Sequence, residues 1–167
     1  MSERLARLEP VASAPLDLRG VTVTLAQPMR RYSLRARDRA LLEAALSLPL
    51  PAQIGETRGP AACLGPDEWL LRLPDHQPLA IPDGQRLGIT EISERAVCLV
   101  VEGPRAAAVL MAGCPLDLDR FANGRATRTV FETVEIVLLR TGESRFEVEV
   151  WRSFAPWLKS ALEAAAE

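Results

Sequence analysis

The residues that could do chemistry in this 167-residue chain are few and scattered. His76 is the one histidine, and it lies in a segment rich in proline. A zinc site needs several His or Cys ligands at short spacing, and none accompanies it. A nucleophile–histidine pair would have to use His76, yet no Ser or Cys motif surrounds it. The three cysteines, Cys63, Cys98 and Cys114, are odd in number and lack CxxC spacing. That usage fits a reducing compartment, with Cys98 packing as a small apolar residue. Asp117 and Asp119 could form an acid–base pair. The commoner role of two carboxylates in a loop after a helix is to cap backbone N–H groups. Arg120, Arg125 and Arg128 surround Asn123-Gly124, and such a cluster can grip a carboxylate, a phosphate or an acidic partner surface. Solvated arginines at a loop end are the plainer reading. No glycine-rich phosphate loop occurs, and Gly84 and Gly88 read as turn residues.

The elements that would position these groups follow from periodicity. Residues 1–20 contain Pro10 and Pro15 without a sustained period, and read as an N-terminal arm. Val21 to Leu25 alternates apolar and polar residues as a half-buried strand does. In Arg31 to Arg35, Tyr32 and Leu34 are expected to face the core and the arginines solvent. Asp38 suits the N-cap of a helix carrying Leu41, Leu42, Ala45 and Leu46. Ala61 to Leu64 and Trp69 to Leu73 read as strands about the turn Gly65-Pro66-Asp67-Glu68, with Trp69, Leu71 and Leu73 on one face. Pro74 to Gly88 reads as a connector.

The second half repeats this order. Ala96 to Val101 is a short apolar run rich in β-branched residues, which suits a strand buried on both faces. Gly103-Pro104 starts a helix over Arg105 to Ala112, and Gly113 is expected in the left-handed region after it. A long strand, Arg128 to Arg140, turns through Thr141 to Ser144. It returns as Arg145 to Trp151, with Phe146, Val148 and Val150 on one face. Ser153 is expected to cap a last helix bearing Phe154, Trp157, Leu158, Ala161 and Leu162. The prediction is an α+β fold of two β-α-β-β units with antiparallel sheets. It forms one domain over residues 21–167, with lobes near 21–88 and 89–167.

Bulk composition narrows the function classes. Apolar residues make up 48%, charged residues 25%, and the net charge is −2. Nothing in this balance recruits nucleic acid or an acidic membrane. The opening residues lack an apolar signal region, and no run approaches the roughly 20 apolar residues of a membrane span. A cytoplasmic location is expected.

Four stretches carry a resemblance: Leu64 to Leu71 (LGPDEWLL), Ser93 to Leu118, Gly124 with Arg128-Thr129, and Phe146 to Leu158 (FEVEVWRSFAPWL). In this order they resemble the gamma subunit family of heterotetrameric sarcosine oxidase. The resemblance implies the folate-binding fold of the glycine-cleavage T-protein, an aminomethyltransferase. It also implies a non-catalytic subunit in a complex that converts sarcosine to glycine, with tetrahydrofolate accepting the one-carbon unit and oxygen yielding hydrogen peroxide. FAD, FMN, NAD and tetrahydrofolate are then expected on the larger subunits and none on this chain. The partners are expected to be the alpha, beta and delta subunits, met through the N-terminal arm and the last helix.

The family offers no catalytic residue to carry over. Related stand-alone folate binders bear a KGCYxGQ-type signature. The nearest counterpart by order of elements, Phe121-Ala122-Asn123-Gly124-Arg125, lacks the Cys, the Tyr and the Gln. Two alternatives stand beside the subunit reading. One is an autonomous module binding folate or a small carboxylate between the lobes, near Arg120, Arg125 and Arg128. The other, weaker, is a complete aminomethyltransferase-like enzyme.

Overall fold

In the computed structural model, which describes residues 9–81 and 87–167, the chain builds two antiparallel sheets with helices on their outer faces. In chain order the elements are β1 (Leu16–Leu18), β2 (Val21–Leu25), β3 (Met29–Arg35), α1 (Arg39–Leu46), β4 (Thr57–Arg58), β5 (Ala61–Gly65) and β6 (Glu68–Pro74). Then come β7 (Gly88–Glu91), β8 (Ala96–Glu102), α2 (Ala106–Met111), β9 (Ala126–Phe131), β10 (Val134–Gly142), β11 (Arg145–Trp151) and α3 (Ala155–Ala166). A single 3₁₀ turn, Arg152–Phe154, links β11 to α3.

One sheet has six strands in the order β1-β2-β8-β11-β10-β9, and the other has five in the order β4-β5-β6-β3-β7. The α+β class with antiparallel sheets is as expected. The assignment of strands to sheets differs from a cut near residue 88. β1 and β2 precede everything else, yet they complete the sheet of the second half, with Val23 opposite Val101. In exchange β7, from the start of the second half, pairs with β3.

Side-chain alternation sorts the layers. Val97, Leu99 and Val101 of β8 point with Phe146, Val148 and Val150 of β11 into a core closed by Val109 and Leu110 of α2 and Leu158 and Leu162 of α3. On the five-stranded sheet, Tyr32, Leu34, Trp69 and Leu71 form a second core under Leu42 of α1. The inner faces meet through a small third cluster of Ala62, Ala126 and Leu139.

Several local expectations hold. Asp38 caps α1, its Oδ1 accepting from the Ala40 N–H at 2.9 Å. β8 is buried on both faces up to Val101. Others are corrected. Part of the supposed arm is a strand, β1, and Lys159 donates to the Ala12 and Ala14 carbonyls. The long strand Arg128 to Arg140 is two strands, because Glu132 turns the chain at φ 51 without help from Gly or Pro. Gly113 is not left-handed. A Cβ there would sit 2.6 Å from the Phe131 ring, so close packing is what requires the glycine. Ser153 makes no cap: it lies inside the 3₁₀ turn, and α3 begins after Phe154. On α1, Leu41 faces solvent, and on α3 the buried stripe is Ala155, Leu158, Leu162 and Ala166, leaving Phe154 and Trp157 exposed.

Candidate functional site

Between the two inner faces lies a layer of charge. Arg31, expected to face solvent, is 2% exposed. It projects from β3 toward β11, where its Nε donates to Glu149 Oε2 at 2.6 Å, while its Nη1 donates to the Met29 carbonyl. The register of β3 with β6 puts Arg72 opposite Arg31. Arg72 reaches the same strand, at 2.6 Å from Glu147 and 3.5 Å from Glu149. Glu149 is 4% exposed and serves both arginines. Burial of Cys98 beside Glu149 and Arg72 pushes its thiol far above the ordinary range, so it is an inert packing group. Burial likewise raises Cys63.

Toward one edge the layer opens into a cleft of about 90 Å³, lined by Glu68, Trp69, Ile92, Arg95, Val137 and Trp151 among others. Arg128 of β9 crosses to Glu68 of β6 as a bidentate fork, at 3.1 and 2.6 Å. Arg35 adds a third contact to Glu68 at 2.9 Å. The Arg128 hydrogen bonds hold the Glu68 carboxyl below the usual glutamate range against the opposing effect of burial, and Glu68 in turn raises Arg128.

A depressed carboxylate contributes stability that is complete above its unfolded value, near 4.5, and is lost as pH falls through the folded value. Arg128→Gln should therefore cost about 1 kcal/mol at neutral pH, since the Arg128 side chain is 38% exposed and Arg35 still pairs with Glu68. In thermal melts the gap between the two proteins should stay constant above pH 6 and shrink below pH 4.5. A gap that stays flat from pH 7 to pH 3 would contradict this role for Glu68.

The three arginines around Asn123-Gly124 go to different places. Arg128 is committed to Glu68 and, at 3.7 Å, Glu135. Arg125 ties the two sheets together. Its Nη2 donates to the Ile54 carbonyl, and its backbone bridges to Glu56. Arg120 is exposed in the loop after α2. Two of the three guanidinium groups thus hold the protein's own acceptors. Asp117 caps the same loop, accepting from the N–H groups of Asp119 and Arg120. His76 is exposed. Among the described residues no cluster of His, Cys, Asp and Glu is arranged to hold a metal ion.

The cleft does not fit a folate. Pockets for ligands of that size run to about 300–1,000 Å³, against about 90 Å³ here. Its walls are tied across by internal ion pairs. The Arg31–Glu149 pair was invisible to sequence reading because its members are 118 positions apart. The only local hint was a glutamate at each of two alternate positions on β11, matched by arginines on β3 and β6. No helix of the described residues is long and apolar enough to cross a membrane.

Comparison with known proteins gives a consistent answer. The family model described as sarcosine oxidase, gamma subunit family, matches residues 35–167. The sarcosine oxidase gamma subunit of Corynebacterium sp. (strain U-96) is 34% identical over 139 residues, covering 74% of this chain and 68% of that relative. The gamma subunit from Arthrobacter sp. is 37% identical over 121 residues, covering 65% and 60%. Among solved structures, a chain of heterotetrameric sarcosine oxidase from Corynebacterium sp. U-96, in complex with pyrrole 2-carboxylate, superposes with a TM-score of 0.78 at 28% identity, over 96% of this chain and 97% of that one. The glycine cleavage system aminomethyltransferase T of Bartonella henselae shares the fold, with a TM-score of 0.66 at 16% identity, over 89% of this chain and 47% of that one. The chain belongs to the sarcosine oxidase gamma subunit family.

Proposed function

We propose that this chain is the non-catalytic gamma subunit of a heterotetrameric sarcosine oxidase. It works beside larger alpha and beta subunits and a small delta subunit in the cytoplasm. In this reading the complex demethylates sarcosine to glycine, and the larger subunits hold FAD, FMN, NAD and tetrahydrofolate. The observation that carries the reading is the near end-to-end superposition on a chain of a heterotetrameric sarcosine oxidase. The layer between the sheets is braced by Arg31–Glu149 and Arg128–Glu68 pairs, so this half-length version of the aminomethyltransferase fold has its interior committed to its own support.

Co-expression with the other subunits tests it. The chain should co-purify in one stoichiometric, coloured, sarcosine-oxidising complex. Purified alone it should be colourless and inactive on sarcosine. Failure to enter the complex, or oxidation of sarcosine by the isolated chain, would refute the reading.

A further inference from the structure

The chain's eight aromatic rings are not treated alike. Tyr32, Phe131, Phe146 and Trp69 are buried, whereas Trp151, Phe154 and Trp157 are 42%, 42% and 37% exposed. These three fall within seven residues, at the end of β11 and the start of α3. Trp151 and Phe154 have ring centroids 6.3 Å apart, and Trp157 stands edge-on to Phe131 at 6.4 Å. Pro156, between them, is also exposed. With rings of about 150–250 Å² each, the strip leaves roughly 200–300 Å² of aromatic surface in water, a substantial apolar patch for a small domain.

The strip has a charged end. The Arg95 guanidinium lies over the Trp151 ring, 4.3 Å from its centroid. Arg31 and Arg128, the other arginines of the neighbouring cleft, are paired with Glu149 and Glu68. Among the described residues no carboxylate lies within ion-pair distance of Arg95. Stacking orients the guanidinium fork while leaving its N–H edge for an incoming carboxylate. Beside it, the cleft of about 90 Å³, walled by Ile92, Val137 and Trp151, has room for one apolar side chain. Exposed Trp and Arg around a small pocket is the composition in which interface energy concentrates.

We propose that the strip Trp151–Phe154–Trp157, with Arg95 at its end, is the surface through which this chain docks on a larger subunit of the oxidase. The docking segment is acidic-aliphatic: its carboxylate meets Arg95 and the neighbouring apolar side chain enters the cleft beside Trp151. This rests on the gamma-subunit reading above.

The test co-expresses wild-type chain, Arg95→Glu, Trp151→Ala and Leu41→Ser with the other subunits. It measures affinity for the remaining complex by sedimentation, with a thermal melt of each lone chain. Arg95→Glu changes only an exposed side chain, so it keeps the test valid should Trp151→Ala unfold. The expected result is at least tenfold weaker assembly for Arg95→Glu and Trp151→Ala. Leu41→Ser, which alters an exposed leucine on α1 over the other sheet, should match wild type. If Arg95→Glu and folded Trp151→Ala assemble like wild type, the surface is wrong and the gamma-subunit reading stands. If wild type itself does not assemble, both fall. A dimer of the lone chain that these same substitutions abolish would assign the strip to a second copy and overturn the proposal.

Discussion

Glu149→Ala should lower the unfolding free energy by about 3–5 kcal/mol, the cost of stranding buried charge. The carboxylate is almost fully enclosed and is shared by Arg31 and Arg72, whose side chains are themselves buried or nearly so. Removing it leaves the Arg31 guanidinium with only the Met29 carbonyl, while Arg72 keeps Glu147. The measurement is a urea titration, read as a shift in midpoint at unchanged slope. Two companions sharpen it. Arg31→Met combined with Glu149→Leu removes both charges and should cost clearly less than the two single changes added together. Arg145→Ala breaks an exposed pair with Glu102 and should cost no more than about 0.5–1 kcal/mol. If Glu149→Ala were as mild as Arg145→Ala, the charged layer would be incidental to stability.

Gly103→Ala should be destabilising by about 3 kcal/mol or more, for two reasons that act together. The residue adopts φ +129, which side-chain-bearing residues rarely do. A Cβ there would also meet the Gly20 carbonyl oxygen at 2.5 Å and the Val21 Cα at 3.1 Å. Both obstacles are backbone, so neither can swing aside. Gly103 follows β8 directly and touches the turn between β1 and β2, so its substitution pries the N-terminal hairpin from the sheet. Amide exchange should show this directly, with protection lost first at Val21 to Leu25. Gly59→Ala is the control. It also has positive φ, but nothing lies within 4 Å of its Cβ position, so only the backbone cost of about 1 kcal/mol applies. Equal effects at the two glycines would rule out the close approach as the cause.

Long, uninterrupted patterns and short-range caps are what this sequence makes legible. β8 and β11 were readable because their alternation or apolar run is long and uninterrupted, and Asp38 because a cap acts over two residues. β1 and β7 were not. Each is a short edge strand with little burial, held by a partner strand rather than by its own pattern. The turn after Phe131 carries no sequence signal because Glu132 takes a conformation usually left to Gly or Asn. Arg31 runs against its expected outward direction for a similar reason. Alternation marks a face as inward only when its residues are apolar, and here the inner face of β3 carries Arg31 and Ser33. Family membership was legible in the ordered stretches from Leu64 to Leu158. The charged interior was not, since each ion pair joins residues distant in the chain.

The exchange of strands between the two halves has a consequence for synthesis. β1 and β2 leave the ribosome before the other described strands, but the strand they need, β8, ends at Glu102, nearly eighty residues later. At about 5–20 residues per second, the hairpin waits roughly 4–15 s with one edge open. During that wait the five-stranded sheet is itself incomplete, because β7 emerges only just before β8. Residues 88–102 thus close the five-stranded sheet and give the hairpin its partner at nearly the same moment, while the six-stranded sheet still waits for β9 to β11, which end at Trp151.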